Sequence, residues 1–287
     1  MVASAQAFLL ATQNPDSGWG YAAGQASTVE ATAASVLALR DESAGNLARR
    51  ASLAWLGAAQ HADGGWGLGA GDPESGWSTA WGVLALTDDG AAADAMRRGA
   101  TWLVSVKTLG LEGDGLQRVM REKFAIDPNL HGWPWLPDEA GWVEPTSLAM
   151  LALTAPSVTS AAQERLDEGT RYLVDRRCHG GGWNFGNPVM LGGQLPPRAH
   201  PTAWALLALT RVAPDVIRPE DLAALRGEMR RDGGALALAW GLLALRVLGQ
   251  DDAEAANRLR AQQQADGSWN SNPFHTAVAL LAERGRF

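Results

Sequence analysis

This 287-residue chain should fold as an all-α ring, a single α/α toroid (barrel) of six helical hairpins, on three grounds. A turn of the form Gln-x-x-Asp-Gly-x-Trp recurs as QNPDSGW (13–19), QHADGGW (60–66) and QQADGSW (263–269), with CHGGGW (178–183) as a variant. A short apolar segment follows each turn: TAASVLAL (32–39), STAWGVLAL (78–86), TSLAMLAL (146–153), TAWALLAL (202–209) and TAVALLA (276–282). The pattern also runs the length of the chain with no linker or polar terminal unit, and an open stack would need polar caps at its ends.

The six units are 1–43, 44–90, 91–156, 157–214, 215–249 and 250–287. Each reads as outer helix, turn, inner helix. The pairs are 5–13 with 27–39, 48–60 with a helix opening at Ser78, and 91–107 with 145–153. They continue as 160–177 with 201–209, 219–231 with 236–248 across a tight DGG, and 251–264 with 276–283. In the outer helices Leu9, Leu56, Leu103, Leu173 and Leu259 stand four residues before Gln13, Gln60, Lys107, Arg177 and Gln263, which places each pair on one helical face. The opposite face carries charge and should meet water. The inner helices are apolar nearly all round, as expected of helices buried on both sides. Trp19, Trp66, Trp183 and Trp269 follow the turn glycines and should pack against the Gln side chains as clasps.

Composition excludes several functions. A net charge of −7 with scattered basic residues is no nucleic-acid footprint. One cysteine, Cys178, forms no internal disulfide and fits a reducing compartment. The first residues lack the basic start of a signal peptide, and no apolar run approaches the ~18–20 residues of a membrane span, so the expectation is a cytoplasmic protein. There is no P-loop, dinucleotide fingerprint or nucleophile elbow.

Because every Gly-Trp turn joins an outer C-terminus to an inner N-terminus, the inner N-termini share one rim. Their dipoles, each worth about half a positive charge, favour anions there. Aligned on the first Thr of each inner helix, the residues two positions earlier are Glu30, Trp77, Glu144, His200 and Phe274, and His275 stands one position earlier. Trp81, Trp204 and Trp240 stand two positions later. Glu30 and Glu144 read first as helix-start residues; a general acid at either place would require apolar walls that hold the proton. Trp133, Trp135 and Trp142 could supply such walls for Glu144. Two insertions, 109–132 and 184–200, exceed what the repeat needs and suit lids; Arg118, Arg121, Lys123, Asp127 and His131 in the first would meet a diphosphate or solvent.

The Gln-x-x-Asp-Gly-x-Trp turn followed by an apolar helix resembles the QW repeat of squalene and oxidosqualene cyclases, and is similar to the repeats of protein prenyltransferase β-subunits. The resemblance covers essentially the whole chain. It implies an isoprenoid-binding toroid, with protonation-initiated (class II type) cyclisation of a polyprenyl or triterpenoid. Glu30 in TVEAT (28–32) and Glu144 in GWVEPT (141–146) occupy the place of a carboxylate in the cyclase Asp-x-Asp-Asp, which is itself absent; Asp88-Asp89 and Asp251-Asp252 fall at the other end of the inner helices. The catalytic candidates are therefore Glu144, Glu30 and His200. Trp77, Trp81, Trp142, Trp204, Trp240, Phe274 and His275 would line the substrate. His275-Thr276 matches the start of the prenyltransferase zinc helix, but the segment that should hold the partner ligands is GGALALAW (233–240), so no metal and no other cofactor is expected. The partner implied is a hydrophobic isoprenoid, with peripheral contact to a membrane surface. The alternative is a toroid that binds lipid or protein without reaction; a glycan-active toroid would need Glu30 and Glu144 to flank a substrate bond.

Overall fold

The computed structural model describes residues 2–40, 45–87, 89–110, 113–154 and 160–287. The unit boundaries at 43/44 and 156/157, and Asp88, lie outside these residues. Thirteen α-helices and one two-stranded hairpin are found among the described residues. No helix among them is long and apolar enough to cross a membrane.

In chain order the outer helices are α1 (Val2–Ala11), α3 (Asn46–Ala58), α5 (Ala93–Ser105), α8 (Ser160–Asp175), α10 (Pro219–Asp232) and α12 (Ala253–Ala261). The inner helices are α2 (Val29–Ala38), α4 (Ser78–Leu86), α7 (Val143–Ala152), α9 (Ala199–Val212), α11 (Ala235–Val247) and α13 (Pro273–Arg284). The alternation expected from the repeats is present, with shifted starts. Helices α7, α9 and α13 begin earlier than expected, so Glu144, His200 and Phe274 lie inside the first helical turn. Asp114–Val119 forms a further helix, α6, within the first insertion, continued by a π-turn over Met120–Phe124. Its Asp114 at the start and Arg121 and Lys123 at the end suit the helix dipole. The second insertion forms the hairpin β1 (Val189–Met190) and β2 (Gly193–Gln194), turned by Leu191 and Gly192, both at positive φ.

The helices group into two compact units. The first comprises Met1–Leu103 with Gly233–Phe287. In it α11, α13, α2 and α4 pack side by side in that order, and α12, α1 and α3 cover them. The second, Val104–Asp232, packs α7 on α9, with α8 against both and α10 against α9. In both, the inner helices are buried along almost their whole length, Ala and Leu alternating with Ser and Thr whose hydroxyls bond the preceding turn of helix or loop.

One hydrogen-bond pattern recurs from turn to turn. The indole N–H of Trp19, Trp66, Trp183 and Trp269 donates to the carbonyl of Leu9, Leu56, Leu173 and Leu259, at 2.6–2.8 Å. Those carbonyls belong to the last turns of the outer helices or the residues beside them, where partners are scarce. The backbone N–H of the same Trp, and of Trp133 in the third unit, donates to the first inner-helix threonine: Thr32, Thr79, Thr202, Thr276 and Thr146. The conserved-looking glutamine does something else. Gln13 and Gln60 each bond their own turn and reach into the next outer helix, at Ala48 and Ala95. The Trp clasp therefore closes on Leu and Thr, whereas the sequence pointed to Gln; Gln links one hairpin to the next. Trp133, expected beside Glu144, is the clasp of the third unit and is under the Arg165 guanidinium, 4.1 Å from its ring centre.

Candidate functional site

The first unit gathers Glu30, Tyr21, Trp81, Trp240 and Phe274. Thr28 caps α2 by accepting from Ala31 N–H, which sets Glu30 in the first turn. Tyr21, in the preceding loop, donates its hydroxyl to Glu30 Oε2 at 2.5 Å. The rings of Trp81, Trp240 and Phe274 lie within 5.9–6.4 Å of one another, and Tyr21 meets Phe274 edge-on at 6.1 Å. Phe287 joins this cluster, 6.1 Å from Trp81 and 5.9 Å from Trp240. It arrives there because the chain reverses at Gly285, the left-handed residue that ends α13.

These walls have an electrostatic result. Burial raises the Glu30 carboxyl to about 7, although the hydrogen bond from Tyr21 and the neighbouring Trp81 indole favour its ionised form. Burial, reinforced by the Glu30 charge, likewise pushes the Tyr21 phenol up, so Tyr21 stays a donor. A carboxyl that keeps its proton near neutrality against aromatic faces has the composition of a general acid for an apolar substrate. His275 lies at the edge of this cluster, its ring beside Phe274 and Nδ1 3.0 Å from Asn270 Nδ2, and burial lowers its basicity. Trp77 stands at the N-cap of α4, partly exposed.

The second unit holds the other carboxylate. Trp204 donates its indole N–H to His200 Nε2 at 2.9 Å, and His200 Nδ1 lies 3.1 Å from Glu144 Oε1. An indole can only donate, so Nε2 accepts and the ring proton sits on Nδ1, the nitrogen nearer Glu144. Glu144 therefore has an imidazole beside it, a different environment from that of Glu30. Trp142, the N-cap residue of α7, is 36% exposed and borders two cavities, neither of which is lined by Glu144 or His200.

The rim differs from the simple anion site expected of free helix N-termini. The first N–H of α2 donates to Leu68 O and that of α7 to Phe185 O, each carbonyl lying two residues beyond a clasp tryptophan. Those two donors are thus taken. Cys178 is buried, and burial raises its thiol to about 11, which removes it as a nucleophile. Among the described residues no cluster of His, Cys, Asp and Glu is arranged to hold a metal ion.

One alignment on threonine singles out Glu30, Trp81, Trp240 and Phe274, which the structure clusters, and Glu144, His200 and Trp204, which it also brings together. It missed Tyr21 and Phe287. Neither belongs to the repeat; the only signal for Tyr21 was an aromatic hydroxyl nine residues before a first-turn glutamate.

No family model matches the sequence, and no curated protein matches it. Solved structures do. The type II terpene cyclase MstE from Scytonema, in complex with its product merosterolic acid A, matches at 16% identity over 99% of this chain and 95% of its own, with a TM-score of 0.64. ent-Copalyl diphosphate synthase from Streptomyces platensis matches at 16% identity over 98% of this chain and 48% of its own, with a TM-score of 0.51. Salmonella alpha-2-macroglobulin matches at 14% identity over 99% of this chain and 17% of its own, with a TM-score of 0.55. The chain has the all-α fold of the terpene cyclase toroids. The macroglobulin shows that this fold also serves proteins of other kinds, so it does not by itself fix an activity.

Proposed function

We propose that residues 1–287 form one toroid domain of six QW-type hairpins that binds an isoprenoid and cyclises it after protonation, with Glu30 as the acid. The observation that carries this reading is a carboxyl raised to about 7 beside the Trp81, Trp240 and Phe274 rings. Glu30 gives its proton to the CH carbon of the substrate's terminal trisubstituted alkene, leaving a tertiary carbocation and a carboxylate. Aromatic faces stabilise that cation by about 0.5–2 kcal/mol each. An internal alkene closes the ring on it, and loss of a proton from the product cation restores an alkene and balances the step as an isomerisation. Tyr21 holds Glu30 Oε2, so the proton to be transferred sits on Oε1. The MstE structure with geranylgeranyl dihydroxybenzoate as substrate supports a polyprenyl ligand of this kind.

The test is incubation with squalene, geranylgeranyl diphosphate and related polyprenyls in deuterated water, with products read by mass spectrometry. A cyclic product carrying one solvent deuterium is expected, and Glu30→Gln should lower the rate by about 10²–10⁴-fold. Glu144→Gln is the parallel arm for the second carboxylate. No turnover of any substrate by the wild type sinks the catalytic reading. A second reading, a toroid that binds lipid or protein without reaction, is favoured by the complete burial of Trp81 and Trp240 with Phe287 packed against both. Native mass spectrometry showing neither bound lipid nor partner counts against it.

A further inference from the structure

Two cavities beside Trp142 are used by nothing described so far. One, of about 250 Å³, is walled by Met120, Phe124, Ile126, Leu130 and Tyr172. The other, of about 280 Å³, is walled by Phe185, Met190, Leu195 and Pro196. Trp142, Gly186 and Asn187 border both, so the indole stands as a partition between them. The two insertions build this place together: Gly192 N–H at the hairpin turn donates to Lys123 O at the end of the π-turn, and Phe185 O accepts from Val143 N–H. Phe185 and Met190, both on the second cavity, remain about half exposed.

The charged residues at these cavities have one sign. No Asp or Glu lines either, although the chain carries a net charge of −7. Of the basic groups, Arg176 is paired with Asp175 and lies over Tyr172, and His131 faces Glu168 at 3.4 Å. Arg198 at the second cavity is exposed and pairs with no carboxylate among the described residues. Size adds a constraint. Small-molecule sites commonly span about 300–1,000 Å³; either cavity alone falls just short, and the two joined fall inside.

The geometry points to a binding site for a single apolar chain ending in an anion, with the head at Arg198 and the chain length set by Trp142. This site does not involve Glu30 or Glu144, so it stands or falls apart from the cyclase reading. A chain that fills the Arg198 cavity stops at the indole; removing the indole opens the second cavity to a longer one.

Isothermal titration calorimetry of the full chain with decanoate, laurate and palmitate, and with farnesyl diphosphate, tests it. The wild type should bind the shorter carboxylates more tightly than palmitate. Trp142→Ala should reverse that order by about tenfold or more, since each further buried methylene contributes about 0.8 kcal/mol. Gly186→Val is the blocking variant. A Cβ there meets only the Trp142 ring, at 3.2 Å, and the backbone is not left-handed, so the fold should persist by circular dichroism while binding is lost. Arg198→Gln should weaken laurate by about tenfold and leave dodecanol unchanged. Tighter binding of farnesyl diphosphate than of laurate, or the reverse, identifies which anion the site takes. Absence of binding by every one of these anions, or affinities that neither Trp142→Ala nor Gly186→Val alters, overturns the proposal.

Discussion

At Glu30, burial and hydrogen bonding act in opposite directions and burial wins. Folding strips water from the carboxyl, which disfavours the anion, while Tyr21 and Trp81 return only part of that stabilisation. A carboxyl raised in the folded state has a definite effect on stability. Below about pH 4.5 both states hold the proton and nothing is lost. Between about 4.5 and 7 the unfolded chain releases it and the folded chain does not, so stability falls as pH rises. Above about 7 the loss is complete and amounts to about 3 kcal/mol. Glu30→Gln has no proton to lose there. Denaturant unfolding on either side of this window should therefore show a fall with pH in the wild type that the variant lacks; parallel profiles would refute the raised carboxyl. Tyr21→Phe removes a bond to the anion and should shift the midpoint of the fall upward.

Among the elements, the fourth turn shows how the repeat survives a change of residues. In the first, second and sixth turns an aspartate accepts from the turn N–H: Asp16 from Gly18, Asp63 from Gly65, Asp266 from Ser268. CHGGGW has no such aspartate, and Arg177 stands where Gln would. Asp221 of α10, fully buried, fills the place: it accepts from Gly182 N–H at 2.9 Å and from Arg218 N–H at 3.0 Å, and lies 3.1 Å from Arg177 Nε. Arg177 in turn donates to Val216 O, as glutamine does to the next outer helix elsewhere. Asp221→Ala leaves Arg177 buried and uncompensated, a change that costs about 3–5 kcal/mol. Urea unfolding of that variant measures it, and a loss under about 1 kcal/mol would show that Arg177 finds another partner. This substitution was illegible in the sequence because Asp221 lies 39 residues from the glycine it serves, outside the motif's seven-residue frame. What was legible, the Leu, Trp and Thr positions, is local to each hairpin and repeats with the apolar period. The Glu144–His200 pair was half legible for the same reason: alignment placed His200 at the rim, but not that Trp204 one turn later sets its tautomer.

The chain as a whole places its most distant segments in one unit, since Met1–Leu103 pack with Gly233–Phe287. Helix α13 lies between α2 and α11 and also touches α1, so the last inner helix is held by the first hairpin. The turn before it repeats the glutamine link across this seam: Gln263 bonds its own turn at Gly267 O and reaches Ser4 at 3.2 Å. Gly267 makes the seam possible. It sits at φ +91, and a Cβ there would lie 2.3 Å from Ser4 O, closer than any side chain tolerates. Gly64 repeats the arrangement at the second turn, with Arg98 O at 2.9 Å. The repeated turn made the glycine visible in the sequence, but a repeat does not say which helix follows the last one, and that contact with α1 is what the fold supplies. Gly267→Ala should therefore cost about 2–3 kcal/mol, combining left-handed strain with the lost approach. Gly71→Ala, an exposed glycine with open space around it, should cost almost nothing. Hydrogen exchange separates the seam from a local defect. If α1 is held by α13, Gly267→Ala must also release the amides of Val2–Ala11, more than 250 residues away; protection of α1 that survives the substitution would show that the first helix is held without the last turn.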